Sequence, residues 1–402
     1  MSTRTFTFVF FSLLILINIL FLVFGYDTVL HKLWSTPTIH PFFADIRTIT
    51  GVNETLAQGF DPLTFNPGDP WNRVMNYPRI WQYIAEFFNF NQNFSIYFGI
   101  INIVLYILGL LLFSSRLILS NRMAILLLIT FLSPASILVM ERGNIDMIIF
   151  FLLSLSLVYI ITPILFTGLI VFASVLKIFP IFAIVGVFSY SKKIFLTFFL
   201  LTMAIFIIYI IINMDDIILI KKGTPQPISL SYGMNVIWMA VQKSLGVTMG
   251  MTVKYATYLY IFGLFIITYI FTKKSQALLY KIDKTYIDAF RVGSGIYIAT
   301  FLLSNNWDYR LIFLIFTLPQ LVLWMGESVK VIKLTAISSI ISIVFTMWYL
   351  DLHRILGIMA WVGDELSNWA LFSALVFLFF ITLPDWVLKF IKIRRDNERS
   401  VT

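Results

Sequence analysis

Long apolar runs follow one another along this chain with short polar breaks, and no other feature limits its fold so severely. A helix needs about 20 residues to cross a hydrocarbon layer of about 30 Å. Backbone groups inside that layer must satisfy one another, which leaves helices and closed barrels as the available forms. About twelve runs of helical character lie near 6–24, 94–113, 123–140, 147–162, 163–176, 179–190, 194–213, 252–271, 289–303, 309–325, 334–350 and 369–388. The fifth and sixth are short and bounded by Pro163 and Pro180, which predicts half-helices that do not fully cross. The expected fold is an all-α polytopic membrane protein. One integral domain over residues 1–402 is expected, because no hydrophilic stretch is long enough to build a separate soluble one.

Composition excludes several function classes. Charged residues make up 12% of the chain and hydrophobic ones 59%, against about 25% charged in soluble domains. There is no cysteine, so disulfides, thiolate metal sites and thiol catalysis drop out. The net charge of +9 is spread over short loops between apolar runs and forms no nucleic-acid face. The first run exceeds a signal-peptide core and is followed by Gly25-Tyr26-Asp27, without a small-x-small cleavage site, so it reads as a retained anchor.

Loop charge sets the expected orientation. With the N-terminus cytoplasmic, one face receives 17 of the 29 Lys and Arg, including Arg4, Arg116, Arg122, Lys192, Lys281, Lys330, Lys392, Arg394, Arg395 and Arg399. The opposite face then holds 14 of the 20 acids, which predicts both termini inside a multi-pass protein of the plasma membrane. The long loops 26–93, 214–251 and 351–368 fall on the outer side. The first carries Trp34, Trp71, Trp81, Phe42, Phe43 and Phe60, too apolar for a floppy linker, and predicts short helices lying in the membrane interface. The sequons at Asn53 and Asn93 fall on the same face.

Four polar groups stand out at the outer ends. In His40-Pro41-Phe42-Phe43-Ala44-Asp45-Ile46-Arg47, Asp45 follows an apolar tetrad and is either a base at the membrane surface or the N-cap of a helix from Ile46. In the run from Asn66 through Asp69-Pro70-Trp71 to Asn76-Tyr77-Pro78-Arg79-Ile80-Trp81, Arg79 sits among aromatics, placed to stack or hold an anion, or to anchor a Pro-punctuated turn. In Glu141-Arg142-Gly143-Asn144-Ile145-Asp146 the first two residues can neutralise each other while Asn144 or Asp146 caps the next helix. Alternatively Arg142 faces an anionic ligand and an acid binds a sugar hydroxyl. The fourth group, Ser304-Asn305-Asn306-Trp307-Asp308-Tyr309-Arg310, repeats the acid-plus-arginine pattern. Lys177, before Ile178-Phe179-Pro180, is either a snorkelling lysine or a cation at a helix break. Such cations and carboxylates, converging on an apolar-walled outer cavity, suit an amphiphilic substrate with an anionic head and a lipid tail.

Taken in order, Phe43-Ala44-Asp45-Ile46-Arg47, Asp69-Pro70-Trp71, Asn76-Tyr77-Pro78-Arg79-Ile80-Trp81, Glu141-Arg142-Gly143-Asn144-Ile145-Asp146, Leu176-Lys177-Ile178-Phe179-Pro180 and Asp308-Tyr309-Arg310-Leu311 resemble the polytopic GT-C glycosyltransferases. The resemblance is to glycosyltransferase family 87, which includes polyprenyl-phosphate-mannose-dependent mannosyltransferases. It implies a GT-C-like bundle and inverting transfer of a sugar from a polyprenyl-phosphate donor to a lipid or glycan acceptor hydroxyl on the extracytoplasmic side. It also implies that the catalytic base is an Asp of the first outer loop, here Asp45. A polyprenyl phosphate leaves well without an acid, so one carboxylate to take the acceptor's proton suffices, with cations to stabilise the phosphate. Lys177, Arg142 and Arg310 are the expected phosphate partners. Glu141, Asn144, Asp146, Asp308, Arg79, Asn76 and Tyr77 are expected at sugar or acceptor hydroxyls, or orienting the cations.

No metal or other cofactor is expected: the first loop has no Asp-x-Asp pair, Asp215 and Asp216 are adjacent, and His31, His40 and His353 are scattered. Rival readings are a transporter or flippase of a lipid-linked sugar, and a glycan polymerase or ligase. The outer placement of the charges and the lack of an internal repeat weigh against a transporter.

Overall fold

The computed structural model describes residues 3–274 and 283–390. Of the bases used for orientation, Lys281, Lys392, Arg394, Arg395 and Arg399 lie outside the described residues. The fold is almost entirely helical, with one two-stranded pairing, Ser231↔Trp307 and Tyr232↔Asn306.

Every apolar run forms a helical segment, but not every segment has spanning length. Among the described residues eight helices are long and apolar enough to cross a membrane: Arg4–Phe24, Phe94–Ser114, Lys192–Ile212, Val247–Thr272, Lys284–Leu303, Asp308–Met325, Lys330–Met347 and Ile358–Ile381. A ninth results if Asn121–Phe131 and Pro134–Arg142, bent by 45°, are one broken span. The chain is a multi-pass membrane protein on this ground. The expected twelve spans thus become eight or nine by length. The remaining runs form Asp146–Val158, Pro163–Leu176 and the 3-10 segment Phe179–Ser189, with 13, 14 and 11 residues. Even the longest covers only about 20 Å at 1.5 Å per residue. The fourth run stops at Val158 because the residues before Pro163 leave the helix, and Thr162 is extended.

The last span also differs from expectation. It begins at Ile358 rather than near 369, so most of the expected outer loop 351–368 is helix. Its buried stripe, Ala360, Asp364, Glu365, Asn368, Leu371, Phe372 and Leu375, keeps helical spacing through the acids and takes them inside.

The chain divides into two compact units. The first comprises residues up to Ile184 with Leu196–Pro225; the second comprises Val185–Phe195 with the residues from Gln226 on. In the first unit Phe94–Ser114 packs along Asp146–Val158, which in turn packs on Pro163–Leu176. Gly109 makes the first contact possible, since a Cβ there would press on Phe150 and the Phe151 backbone at 3.0 Å. The long first loop, 26–93, forms short helices Tyr26–Trp34, Ala44–Thr50, Val52–Ala57 and Ile80–Phe87.

That loop is internally tied. Gly51 and Gly68 approach so closely that a Cβ on either would collide with the other's carbonyl. Gln92 Nε2 donates to Gly68 O at 2.6 Å and to Arg47 O at 3.0 Å, while Arg47 donates to Phe42 O at 2.7 Å and Gln92 Oε1 at 3.0 Å. The sequon residue Asn53 spends its amide on Ala85 O and Phe90 O, at 2.9 and 2.8 Å.

The second unit is built on Lys284–Leu303, packed against Asp308–Thr317 and Ile358–Ile381. Phe301 stacks on Phe372 at 4.4 Å and meets Trp369 edge-on at 4.9 Å; Tyr232 stacks on Tyr297 at 5.1 Å.

Candidate functional site

The polar centre of the first unit begins with a helix stop. Ser133 caps Pro134–Arg142, its hydroxyl accepting from Ser136 N–H, and Pro134 occupies the first turn, where its missing N–H costs nothing. Gly143 ends the helix at φ +62°, and Asn144 N–H returns to Val139 O at 3.2 Å. A side chain at Gly143 would also meet Phe43, because the Phe43 ring fills the space between Gly143 and Gly99. Phe43 immediately precedes Ala44–Thr50, so this contact sets Asp45 against Asn144.

Asn144 then joins four groups. Its Nδ2 donates to Asp45 Oδ2 at 2.6 Å and to the Tyr77 hydroxyl at 3.3 Å; its Oδ1 accepts from Lys177 Nζ at 3.0 Å and from Asp146 N–H at 2.9 Å. Lys177 Nζ pairs with Asp146 Oδ1 at 2.7 Å and lies over the Tyr77 and Phe179 rings at 5.2 and 5.9 Å. Lys177 reaches this point because Pro163–Leu176 ends at Leu176, whose carbonyl is held by Trp81 Nε1 at 2.9 Å. It is a cation at a helix break and not a snorkelling lysine: its side chain is 13% exposed and Asp146 is fully buried.

Asp45 does not cap a helix from Ile46. The helix starts two residues earlier, at Ala44, and Asp45 lies in its first turn. Its carboxylate is 21% exposed, held through Oδ2 by Asn144, with Oδ1 3.9 Å from Arg73 Nη1. Arg73 is the residue that the sequence reading passed over. Its Nε and Nη2 grip buried Asp69 at 3.1 and 2.8 Å, Nη2 also donates to Ala44 O, and its guanidinium stacks on Trp71 at 4.5 Å. Burial opposes its charge, but the Asp69 hydrogen bonds and the charges of Asp69 and Asp45 raise it above the ordinary arginine value. The signal was present as Asp69-Pro70-Trp71-Asn72-Arg73, an acid and a base four residues apart around an indole.

Glu141 and Arg142 pair with each other at 2.7 Å, and Glu141 Oε1 accepts from Ile39 N–H at 2.9 Å. The mutual neutralisation read from the sequence is therefore present, and Glu141 lies within electrostatic range of Asp45. Arg79 makes a brace. It donates bidentately to Asp216 at 2.7 and 2.7 Å, to Asp61 at 3.3 and 3.1 Å and to Gln82 at 2.9 Å, which occupies all five N–H donors. Those bonds leave none for a ligand. Burial would lift Asp61, but the Arg79 and Leu63 N–H bonds and the Arg79 charge hold its carboxyl below the usual range. Asn76 is half-buried beside Tyr77, and no hydrogen bond draws its side chain into the Asn144 network among the described residues. His40 is exposed and pairs with Asp27 at 3.0 Å.

Asp308 and Arg310 belong to the second unit. Arg310 donates to Asn306 Oδ1, and Asp308 N–H donates to Leu230 O at 2.9 Å. Among the described residues no group of three or more His, Asp or Glu side chains could hold a metal ion.

The class defined so far is a multi-pass helical membrane protein with an ionisable centre in its first unit. No family model, curated protein or solved structure matches the chain.

Proposed function

We propose that the protein is an inverting glycosyltransferase of GT-C-like architecture. It moves a hexose, mannose-like, from a polyprenyl-phosphate donor to a hydroxyl of a lipid or glycan acceptor at the extracytoplasmic face of the plasma membrane, both termini being cytoplasmic. The short helices of 26–93 lie in the interface and present Asp45. Asp45 takes the acceptor proton as the acceptor oxygen bonds to the anomeric carbon, and the carbon–phosphate oxygen bond breaks with its electrons passing to the phosphate. Lys177 and Arg142 meet that phosphate. Asn144, Asp146, Glu141, Tyr77 and Asn76 orient these groups or bind hydroxyls.

One observation carries the reading: a part-exposed carboxylate, Asp45, is anchored by one oxygen to Asn144, and the same Asn144 accepts from Lys177. Base and cation are thereby held one side chain apart. A carboxylate with one free edge is what a general base needs, and a neighbouring cation is what a departing phosphate needs. The test is sugar transfer from a panel of polyprenyl-phosphate sugars by purified protein, read by mass spectrometry; Asp45→Asn abolishes it while donor binding persists. Wild-type-like transfer by that variant sinks the assignment.

A transporter or flippase of a lipid-linked sugar is the second reading, and the buried acids of the second unit favour it, since intramembrane carboxylates commonly serve transport. Uptake by sealed vesicles without glycosyl product would decide for it.

A further inference from the structure

Beside Asp45 the first unit builds a small platform from one turn. Asp69 is buried and receives four N–H groups: the backbone N–H of Trp71 and of Arg73, both at 3.0 Å, and Arg73 Nε and Nη2 at 3.1 and 2.8 Å. Asn72 takes φ +53° between them, a conformation Asn tolerates, and its own N–H returns to Asp69 O at 2.9 Å. The side chains of Trp71 and Arg73 leave this turn together, with the guanidinium 4.5 Å from the centre of the indole. Arg73 Nη2 also donates to Ala44 O, which fixes the guanidinium against the helix that bears Asp45.

Two atoms there keep unused hydrogen-bonding capacity. Asp45 Oδ1 and Arg73 Nη1 stand 3.9 Å apart, beyond hydrogen-bond length, in side chains that are 21% and 36% exposed. Among the described residues neither atom has a hydrogen bond, and neither is sealed within protein. The Nε and Nη2 hydrogens of Arg73 are all spent, so Nη1 is its one open end. Trp71 remains 36% exposed beside them.

This combination selects a ligand. An isolated hydroxyl meets Oδ1 alone. A sugar ring carries hydroxyls on neighbouring carbons, so one donates to Oδ1 while the next accepts from Nη1, and its C–H face suits the negative face of an indole. A phosphate is disfavoured here by the like charge of Asp45. In an inverting displacement, moreover, base and leaving group lie on opposite faces of the sugar. Lys177 stands behind Asn144, which holds the other oxygen of Asp45.

We propose that Trp71, Arg73 and Oδ1 of Asp45 form the acceptor subsite, and that the acceptor presents a sugar ring with neighbouring hydroxyls rather than an isolated lipid hydroxyl. The assignment, which rests on the transferase reading, narrows the acceptor to a glycan or the sugar head of a glycolipid. The hydroxyl at Oδ1 gives up its proton there as its oxygen bonds to the anomeric carbon and the electrons of the broken bond leave with the phosphate. Arg73 holds the neighbouring hydroxyl and takes no proton.

The experiment uses the purified full chain in lipid nanodiscs. Binding of methyl hexopyranosides and their monodeoxy analogues is followed by saturation-transfer NMR without donor. Transfer from the polyprenyl-phosphate sugars is then measured to octyl hexosides and to decanol, which has a hydroxyl and a tail but no ring. At least one methyl hexoside should bind saturably. Its affinity should fall about tenfold in Trp71→Ala, in Arg73→Lys and for the analogue lacking one of the paired hydroxyls, the order of one hydrogen bond to a charged group. The octyl hexoside should be used in preference to decanol, and Trp71→Ala should raise the acceptor KM with the donor KM unmoved. Gel filtration and thermal unfolding verify folding; if Arg73→Lys fails because Asp69 loses partners, Trp71→Ala, which keeps the backbone N–H to Asp69, carries the test. Unweakened hexoside binding in folded Trp71→Ala, equal use of decanol and hexoside, or a rise in the donor KM instead overturns the subsite and leaves the transferase reading standing. Saturable, Trp71-dependent binding with no transfer from any donor keeps the sugar site and overturns the transferase reading. Absence of both binding and transfer overturns both.

Discussion

The polar centre of the first unit and the Asp308, Asp364 and Glu365 group of the second treat buried acids in opposite ways, although Asp288 of the second unit has Arg291 at 3.7 Å. In the first, Asp146 is fully buried and has Lys177 at 2.7 Å, and Asp69 is buried with four N–H donors from Trp71 and Arg73. Asp45 stays part-exposed, anchored at one oxygen. In the second, Asp308, Asp364 and Glu365 are also buried and, among the described residues, meet no protein donor at five oxygens. A charge taken out of water needs a partner, and removing a partner costs more than the pair contributes. The buried acids of the first centre are therefore partnered within the unit, and Asp45 keeps one carboxylate edge open. The group in the second unit has no such partners among the described residues.

The largest effect expected from breaking this contrast is on catalysis. Asp45→Asn keeps the Asn144 contact in shape but removes the base, and sugar transfer should fall by about 10²–10⁴-fold with the thermal midpoint unmoved. Retention of more than a tenth of the rate would take Asp45 out of the chemistry. Next comes Lys177→Met, which strands buried Asp146 and should cost about 3–5 kcal/mol of stability. In the fraction that stays folded, use of the donor should weaken more than use of the acceptor; equal loss on both sides would make Lys177 structural. Gly143→Ala adds a side chain at φ +62° against Phe43 and should destabilise by about 1–3 kcal/mol. Because Phe43 sets the position of Asp45, the transfer rate should drop as well, and a variant of unchanged stability and rate would refute that packing link.

The second unit should respond with the opposite sign. Asp364→Asn/Glu365→Gln removes unpaired acids and should raise the thermal midpoint, whereas Asp146→Asn in the first unit should lower it. A fall in both would erase the distinction. The smallest effect is on the Arg79 brace. Asp61 is depressed in the fold, so its contribution is fully present above the unfolded value of about 3.9 and is lost as pH falls through the lower folded value. Acid unfolding curves of wild type and Asp61→Asn should thus converge below about pH 4; parallel curves at every pH would show that the pair contributes nothing.

Much of the first centre could be read from residue order. The helix end at Glu141-Arg142 and the break at Lys177 before Phe179-Pro180 were legible, whereas the helix start at Ser133-Pro134 fell inside the run read as 123–140. Arg73 was not, because its role depends on Asp69 and Trp71 folding it back toward Ala44 and Asp45. Arg79 was read as a contact for an anion or a hydroxyl, or as the anchor of a Pro-punctuated turn, and its partner Asp216 is 137 residues away, which no local pattern discloses. The acids at 364 and 365 were placed in a loop because hydropathy averages over all faces of a helix, whereas burial acts on one.

By itself the sequence determined that this chain is a helical membrane protein, since backbone groups in a hydrocarbon layer have no other route to satisfaction over so many apolar runs. It also determined where most helices begin and end, because Pro, Gly and capping hydroxyls act through their own neighbours. Only the tertiary structure decided which charges are paired and which are not. Asp45 with Asn144, Lys177 with Asp146 and the unpartnered trio of Asp308, Asp364 and Glu365 are set by contacts between distant segments, and electrostatic energy depends on distance and burial, neither of which residue order contains.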